Sequence, residues 1–295
     1  MPRISLLALL LLALPLAACD SSDPDPQLQT ITDLAIDTPS LSTLVTALTT
    51  ANLGDALRAD GPFTVFAPSN DAFGEVNGDL LNAILGDNTQ LTDLLRYHVV
   101  PGRFAAADLS DGQMLTTLEG ERLEVTITGG NVFVDGVQVQ TPNVEASNGI
   151  VHVIGGVLID PIDIVDAASL LGFSTLVQAA IDTNLDDDLM GEGPLTVFAP
   201  TNDAFTAAGA GSLSANQVRN ILLYHVVPTF ALSGDLSNGQ TVPTLKSDET
   251  LGIGISGNTI TIDGAQSDAT VGPADIVVGN GVIHAIDTVL LPATF

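Results

Sequence analysis

The side chains of this chain that could do acid–base or metal chemistry are its histidines and tyrosines. All of them fall in two repeated sets: Tyr97-His98 and His152, then Tyr224-His225 and His284. A Ser-His-Asp hydrolase site or a metal site could be built from such residues. However, no G-x-S-x-G elbow is present in the sequence. His98 precedes Val99-Val100, and His152 lies inside an apolar run, a pattern typical of neutral, hydrogen-bonded core histidines. We therefore predict structural roles for His152 and His284, with catalysis or metal binding as the alternative.

Acidic and amide side chains also fall at positions 1, 3, 5 and 7 of a segment that resembles a calcium loop. These residues are Asp182, Asn184, Asp186 and Asp188. The match then fails, because Asp187 stands at position 6, where the turn needs glycine, and the acid expected at position 12 comes one residue early at Glu192. We interpret the segment as a solvated acidic loop and keep a weak divalent-cation site as the alternative.

The chain begins with features of an export signal. Arg3 precedes an apolar run over 4–16, which is too short to span a bilayer comfortably. Its end, Leu16-Ala17-Ala18-Cys19, resembles a bacterial lipobox, in which the signal is removed before a cysteine that then carries lipid. We predict a signal peptide over 1–18, lipidation at Cys19 and a polar tether over 19–27, with a simple signal cut after Ala18 as the alternative. Cys19 is the only cysteine, so disulfides are excluded.

The elements that must position the histidines occur twice. FTVFAPSNDAF (63–73) recurs as LTVFAPTNDAF at an offset of 132, and NGIVH (148–152) recurs at the same offset. Tyr97-His98 recurs at an offset of 127, so the second copy is five residues shorter before this pair and five longer after it. We predict two domains, over 28–160 and 161–295.

Each copy reads as a helix-rich first half and a strand-rich second half, which favours α+β domains over a βαβ sheet. A helix is predicted over 41–57, and the FTVFAP strand ends at Pro68, where Ser69 or Asn70 caps the next helix. Thr201 or Asn202 does so in the second copy, and we assign Asn70 and Asn202 structural roles. Alternating apolar residues around Gly129-Gly130 predict a hairpin, and Asp135-Gly136 and Asp263-Gly264 predict the next turns.

These three blocks, in this order and twice, resemble the fasciclin (FAS1) family over nearly all of the chain after residue 28. The resemblance implies a wedge-shaped β-sandwich flanked by short helices. It also implies secreted or surface-attached proteins that act in adhesion and extracellular matrix, without a known catalytic site or cofactor. The family attributes adhesive contacts to the Tyr-His region, so Tyr97, His98, Tyr224 and His225 become candidates for partner contact.

The net charge of the chain excludes some classes of partner. The formal net charge is −28, and the acids include 28 aspartates against a single lysine, Lys246. A field of this size repels nucleic acid and anionic lipid. Plain solubility would account for it, but we favour salt adaptation, because self-repulsion of this strength is tolerable mainly when salt screens it.

Together these features predict a non-enzymatic, lipid-anchored adhesion or matrix-interaction protein of the cell envelope. Its expected partner is a cell-surface or matrix protein or polysaccharide, or a second copy, and it meets the membrane only through the lipid on Cys19. The alternatives are an exported small-ligand or calcium-binding lipoprotein and a secreted hydrolase. A histidine exposed in a cleft beside serine and aspartate would favour the hydrolase.

Overall fold

The structure, a computed structural model, describes residues 28–159, 162–191, 193–209 and 213–294. The predicted signal peptide, Cys19 and the tether lie outside the described residues. The elements of domain 1 are α1 (Ile31–Asp37), α2 (Ser42–Thr50), β1 (Phe63–Pro68), α3 (Asn70–Glu75), α4 (Gly78–Gly86), α5 (Asn88–Tyr97), β2 (Val99–Pro101), β3 (Gln113–Thr116), β4 (Arg122–Thr128), β5 (Asn131–Val134), β6 (Val137–Ala146) and β7 (Gly149–Ile154).

Domain 2 repeats this order with three differences: an additional short helix before its first strand, one helix fewer between that strand and its Tyr-His pair, and two strands in place of β6. Its elements are α6 (Ile164–Leu170), α7 (Ser174–Asp182), α8 (Asp186–Met190), β8 (Leu195–Pro200), α9 (Asn202–Ala208), α10 (Ala215–Tyr224), β9 (Val226–Val227), β10 (Thr241–Pro243), β11 (Thr250–Ser256), β12 (Thr259–Asp263), β13 (Asp268–Thr270), β14 (Ile276–Val278) and β15 (Gly281–Ile286). Both domains are α+β, as predicted. Within the described part of the chain, none of these helices has the length and apolar character needed to cross a bilayer.

The sheets are organised around the strand of the duplicated FTVFAP block. In domain 1 the strand order is β2-β1-β7-β6-β5-β4-β3, with β1 and β7 parallel. In domain 2 the stretch equivalent to the long β6 is broken into β13 and β14, which leaves two four-stranded sheets. Strand β6 is itself irregular at the position where domain 2 has this break, because its register against β7 shifts between Val139 and Val144.

Strand β1 is buried on both faces, as its apolar run indicates. Val65 and Ala67 join the core formed with the helices, whereas Phe66 joins a second core formed with β3, β4 and β5. The same division holds in domain 2, where Val197 and Phe198 take the two sides. The core on the helix side is continuous through both domains, whereas each domain has its own core between its strands.

The structure resolves the two helix caps that the sequence left open. Ser69 Oγ accepts from the Ala72 N–H, and Thr201 Oγ1 accepts from the Ala204 N–H, so these residues are the caps. Asn70 and Asn202 instead join two helices. Asn70 Oδ1 accepts from the Thr43 N–H at 3.0 Å, and Asn202 Oδ1 accepts from the Thr175 N–H at 3.0 Å.

Two local predictions need correction. The helix predicted over 41–57 ends at Thr50, because Asn52 takes a left-handed conformation (φ 55°) that stops the helix. Asp135-Gly136 is the tight turn predicted between β5 and β6, but Asp263-Gly264 only begins a longer connection, since Asp263 pairs with Asp268. The predicted hairpin around Gly129-Gly130 is confirmed by the antiparallel pairing of β4 with β5.

Candidate functional site

The Tyr-His pairs lie inside the two domains. Tyr97, His98, Tyr224 and His225 have exposed fractions of 0%, 2%, 0% and 1%. The expectation that these side chains contact a partner is therefore corrected, because no partner can reach them in this fold. Both tyrosine hydroxyls are bonded inside the protein, Tyr97 Oη donating to Asp135 Oδ2 at 2.7 Å and Tyr224 Oη donating to the Thr250 carbonyl at 3.1 Å.

His98 and His225 each connect a helix end to a distant strand-end segment. His98 Nδ1 lies 2.7 Å from the Leu94 carbonyl, and its Nε2 accepts from the Leu158 N–H at 3.0 Å. In domain 2 the partners are the Ile221 carbonyl and the Leu290 N–H. Both bonds require a neutral ring that carries its proton on Nδ1. Burial lowers the pKa of each imidazole to about 4, so neither is poised for acid–base chemistry near neutral pH.

His152 and His284 are neutral for the same reason but carry the proton on the other nitrogen. His152 Nε2 lies 2.8 Å from the Phe104 carbonyl, and its Nδ1 accepts from the Asn143 N–H. His284 makes the equivalent bonds, at 2.9 Å to the Ala231 carbonyl and at 3.2 Å to the Asp275 N–H. Burial lowers the pKa of both rings. Their structural role stays a prediction that this geometry favours.

One serine, one aspartate and one histidine do meet in domain 2. Ser233 Oγ donates to Asp275 Oδ2 at 2.5 Å, and Asp275 Oδ1 lies 3.9 Å from His284 Nδ1. This arrangement is not that of a hydrolase, in which the serine is hydrogen-bonded to the histidine. Here the serine is bonded to the aspartate, and His284 is 1% exposed with its Nε2 against a backbone carbonyl. The condition that would favour the hydrolase, an exposed histidine in a cleft, is not met here.

Domain 1 indicates what this cluster does. At the equivalent positions stand Ala106, Asn143 and His152, and Asn143 Oδ1 accepts from the Ala106 N–H at 2.8 Å, as Asp275 Oδ1 does from the Ser233 N–H. The shared contact is a bond from side chain to backbone that holds two loops together. Because it survives with alanine in place of serine, it needs no nucleophile.

The segment that resembled a calcium loop is folded differently. Asp186 and Asp188 lie on helix α8, so the alternate residues do not surround a common point. Asp182 accepts from Gln178 Nε2, and Asp188 pairs with Arg219 at 3.1 Å. Among the described residues, no group of three or more His, Cys, Asp or Glu side chains is close enough to hold a metal ion.

Two exposed apolar side chains of domain 2 line the same cleft, and we call this surface the end face and define it by Met190, Pro194 and Phe230. Met190 and Phe230 are 51% and 46% exposed. The end face lines an open cleft of about 670 Å³, which also includes Asp163 and, from domain 1, Glu121. An exposed aromatic side chain beside an exposed methionine is typical of protein contact surfaces.

Domain 1 carries charge at the equivalent positions. Arg58 stands in the place of Met190 and pairs with Asp33 and Asp55. Arg103 stands in the place of Phe230 and pairs with Glu145. In domain 1 the phenylalanine comes one residue later, at Phe104, and packs into the core.

Sequence reasoning missed the end face, although a signal was available. An alignment of the two copies at their offsets of 132 and 127 places Arg58 against Met190 and Arg103 against Phe230. At both positions, domain 2 has a large apolar residue where domain 1 has an arginine. Such a difference between two similar copies indicates that this surface has different roles in the two domains. Because 40 residues separate Met190 from Phe230, only the fold shows that they share a face.

Comparison with known proteins places these observations in a family. The family profile described as "Fasciclin domain" matches residues 39–160 and 171–292. Transforming growth factor-beta-induced protein ig-h3 of Sus scrofa is 30% identical over 258 residues, covering 82% of this chain and 36% of that protein. Protein sll1483 of Synechocystis is 40% identical over 147 residues, covering 49% of this chain and 78% of the relative. The chain thus spans about a third of the length of the porcine protein.

Among solved structures, a FAS1 domain pair from the insect cell adhesion molecule fasciclin I aligns with 85% of this chain and 97% of its own, with a TM-score of 0.41 and 19% identity.

Proposed function

Because the chain belongs to the fasciclin domain family, with both repeats matched, we propose that it is a non-catalytic adhesion module anchored to the cell envelope. The observation that carries this proposal is the end face of domain 2. In a protein with a formal charge of −28, Met190 and Phe230 are half exposed where the sister domain has paired arginines. The buried, neutral histidines support the non-catalytic part, since each is already bonded through both ring nitrogens.

We take the partner to be a cell-surface or matrix protein. The end face offers apolar area for an anchoring side chain, and the nearby carboxylates of Glu121 and Asp163 favour a partner with basic groups around that anchor. A partner of this kind also has charge opposite to that of the chain as a whole. A second copy would instead bring −28 against −28.

The adhesion proposal is tested with beads that carry the mature chain from residue 19 onward with Cys19→Ser. We expect binding to its own cells to fall at least about tenfold with Met190→Ser plus Phe230→Ser, because the central apolar anchors of an interface hold most of its binding energy. Met114→Ser is the matched control, since Met114 in domain 1 is also 51% exposed. Equal losses in the two variants would argue against the end face. Treating the cells with protease should abolish binding, and persistence after protease would point to polysaccharide.

Anchoring through Cys19 is the second part of the proposal. Cys19→Ser should shift the protein from the detergent-soluble membrane fraction to the soluble or unprocessed fraction, because a multiply acylated cysteine anchors stably and an unmodified chain does not. Fractionation followed by immunoblotting measures the shift. A variant that remained in the membrane fraction would contradict the lipobox assignment.

Salt adaptation is the third part. We expect the melting temperature to rise from about 0.05 to 2 M NaCl, because screening shortens the reach of the repulsion within the acidic chain from about 14 Å to about 2 Å. Binding of a basic partner should weaken over the same series, because the same screening reduces its attraction to the chain. Thermal melts and bead binding across this series measure both. A melting temperature that stays flat would refute salt adaptation and leave adhesion to be judged by the end-face variants.

A further inference from the structure

The two domains differ in the helices on either side of their first strand: α8 before β8 has no α-helical counterpart in domain 1, and α4 after β1 has none in domain 2. In domain 1, twelve residues join α3 to α5, and nine of them form α4. In domain 2, only six residues join α9 to α10. Six residues cannot hold a nine-residue helix, so domain 2 has no room for a counterpart of α4. The five-residue shortening of the second copy falls in this connection.

Helix α4 has a buried apolar face and contacts both α5 of its own domain and α6 of domain 2. Leu80 and Ile84, which are four residues apart, are 0% and 1% exposed and belong to the core between helices and sheet. Leu81 and Leu85 pack against the same core from the side. The helix thus supplies anchors with the i, i+4 spacing of an amphipathic helix in a groove.

Domain 2 has an open groove among the helices that surround its shortened connection. Its volume is about 370 Å³, and it is lined by α7, α9, α10 and the residue before the α10 cap: Thr175, Gln178, Ala179, Asp182, Thr183, Phe205, Leu213, Ala215 and Val218. The floor is largely apolar. Asp182 is the one charged side chain among these lining residues.

Equivalent residues of domain 1 are more deeply buried. Ala47 and Leu91 are each 1% exposed, whereas their counterparts Ala179 and Val218 are only half-buried. The difference lies where domain 1 has an additional helix and domain 2 does not. In domain 1, α4 packs against α5, the counterpart of the α10 that lines the groove, and it also contacts α6 of domain 2. The groove therefore corresponds in part to a surface that α4 covers in domain 1.

We propose that this groove binds an amphipathic helix of a partner protein. The helix would present leucine or isoleucine side chains four residues apart, as α4 does. It would carry lysine or arginine at its edges, because the groove has Asp182 on its rim and the chain around it is strongly acidic. This site is separate from the end face and does not depend on the adhesion proposal.

The helix is favoured over a second copy of this chain for two reasons. The apolar face of α4 is buried within the folded chain and cannot be offered to a neighbour. Two copies would also meet with like charge of −28 each.

The probe is a fluorescent peptide of residues 77–87 in which Asp79 and Asp87 are exchanged for lysine. It keeps the apolar residues of α4 and supplies the basic edges. Fluorescence anisotropy measures its binding to the mature chain with Cys19→Ser. We expect saturable binding, and no binding of a scrambled peptide of the same composition. Equal binding of the two peptides, or no binding of either, overturns the proposal.

Two variants locate the peptide. Ala179→Lys places a cation inside the groove, and Thr175→Lys does so at its exposed rim, so the second variant serves if the first does not fold. Each is expected to weaken binding at least tenfold. Ile181→Lys is the control, because Ile181 is on the same helix and 46% exposed but does not line the groove. We expect it to change binding less than twofold.

Equal weakening by all three variants would mean that charge alone governs binding and would overturn the proposal. So would a dimer in sedimentation that Ala179→Lys disrupts, because the groove would then hold a second copy. Loss of end-face adhesion with intact peptide binding would refute the adhesion proposal alone, which keeps the two tests distinct.

Discussion

Gly281→Ala is expected to lower the free energy of unfolding of domain 2 by about 3 kcal/mol or more, which is the upper end for overpacking a well-filled core. A Cβ at this position would lie 2.1 Å from the Leu195 carbonyl oxygen and 2.9 Å from Ile164 Cδ1. Gly281 pairs with Leu195 at the start of the parallel β8–β15 ladder, so relieving the clash means moving backbone in the centre of the sheet. Urea unfolding measures the loss.

Gly234→Ala is the matched control, because a Cβ at Gly234 would meet nothing within 4 Å. Its effect should stay within about 0.5 kcal/mol. Gly149→Ala repeats the test in domain 1, where the added Cβ would lie 2.0 Å from the Phe63 carbonyl oxygen. If Gly281→Ala unfolded at the same urea concentration as Gly234→Ala, the tight approach of these two strands would be refuted.

The second large effect is a loss of stability in acid. Burial lowers the pKa of His98 and of His225 from 6.5 to about 4, so between these values the unfolded chain binds protons that the folded chain does not. The stabilisation is therefore complete above pH 6.5 and is lost as the pH falls toward 4. Each histidine should contribute about 3 kcal/mol over this interval, because one pKa unit corresponds to about 1.4 kcal/mol.

Protonation of carboxylates acts in the opposite direction, because it relieves the repulsion within a chain of charge −28. Urea unfolding between pH 7 and pH 4.5 should therefore be measured in about 1 M NaCl, where the Debye length is about 3 Å. NMR titration of the imidazole resonances gives an independent measurement. A titration midpoint near 6.5 for His98 or His225 in the folded protein would contradict the buried, neutral assignment.

Local pattern was sufficient for elements whose bonds are made with near neighbours. Alternating apolar residues predicted β4 and β5, and Gly129-Gly130 predicted the turn that joins them. The sequence also placed a cap at Ser69 or Asn70, but it could not choose between them. Asn70 has a competing partner in the Thr43 N–H, which lies 27 residues away, and only the packing of α2 beside α3 brings that partner within reach.

The prediction that the Tyr-His pairs contact a partner was wrong, because family resemblance does not show whether a side chain is buried. Tyr97 and His98 follow an apolar helix at a place that the family associates with adhesion, yet both side chains point into the core. A tyrosine or histidine that recurs in two copies can be retained for packing as well as for contact. The exposure of such a side chain depends on the strands that cover it, and those strands come later in the chain.

By itself, the sequence determined the duplication, the α+β class, the acidic charge, the single cysteine and the main strands. The duplication follows from blocks that recur at offsets of 132 and 127 residues, and the other features follow from composition or from local spacing. The tertiary structure alone decided that His98 Nε2 accepts from the Leu158 N–H across 60 residues and that Met190 and Phe230 line one cleft. Only the tertiary structure shows the groove of domain 2, because the helices that line it are distant from one another in the sequence. Domain 2 also lacks the helix α4 that domain 1 has next to its α5.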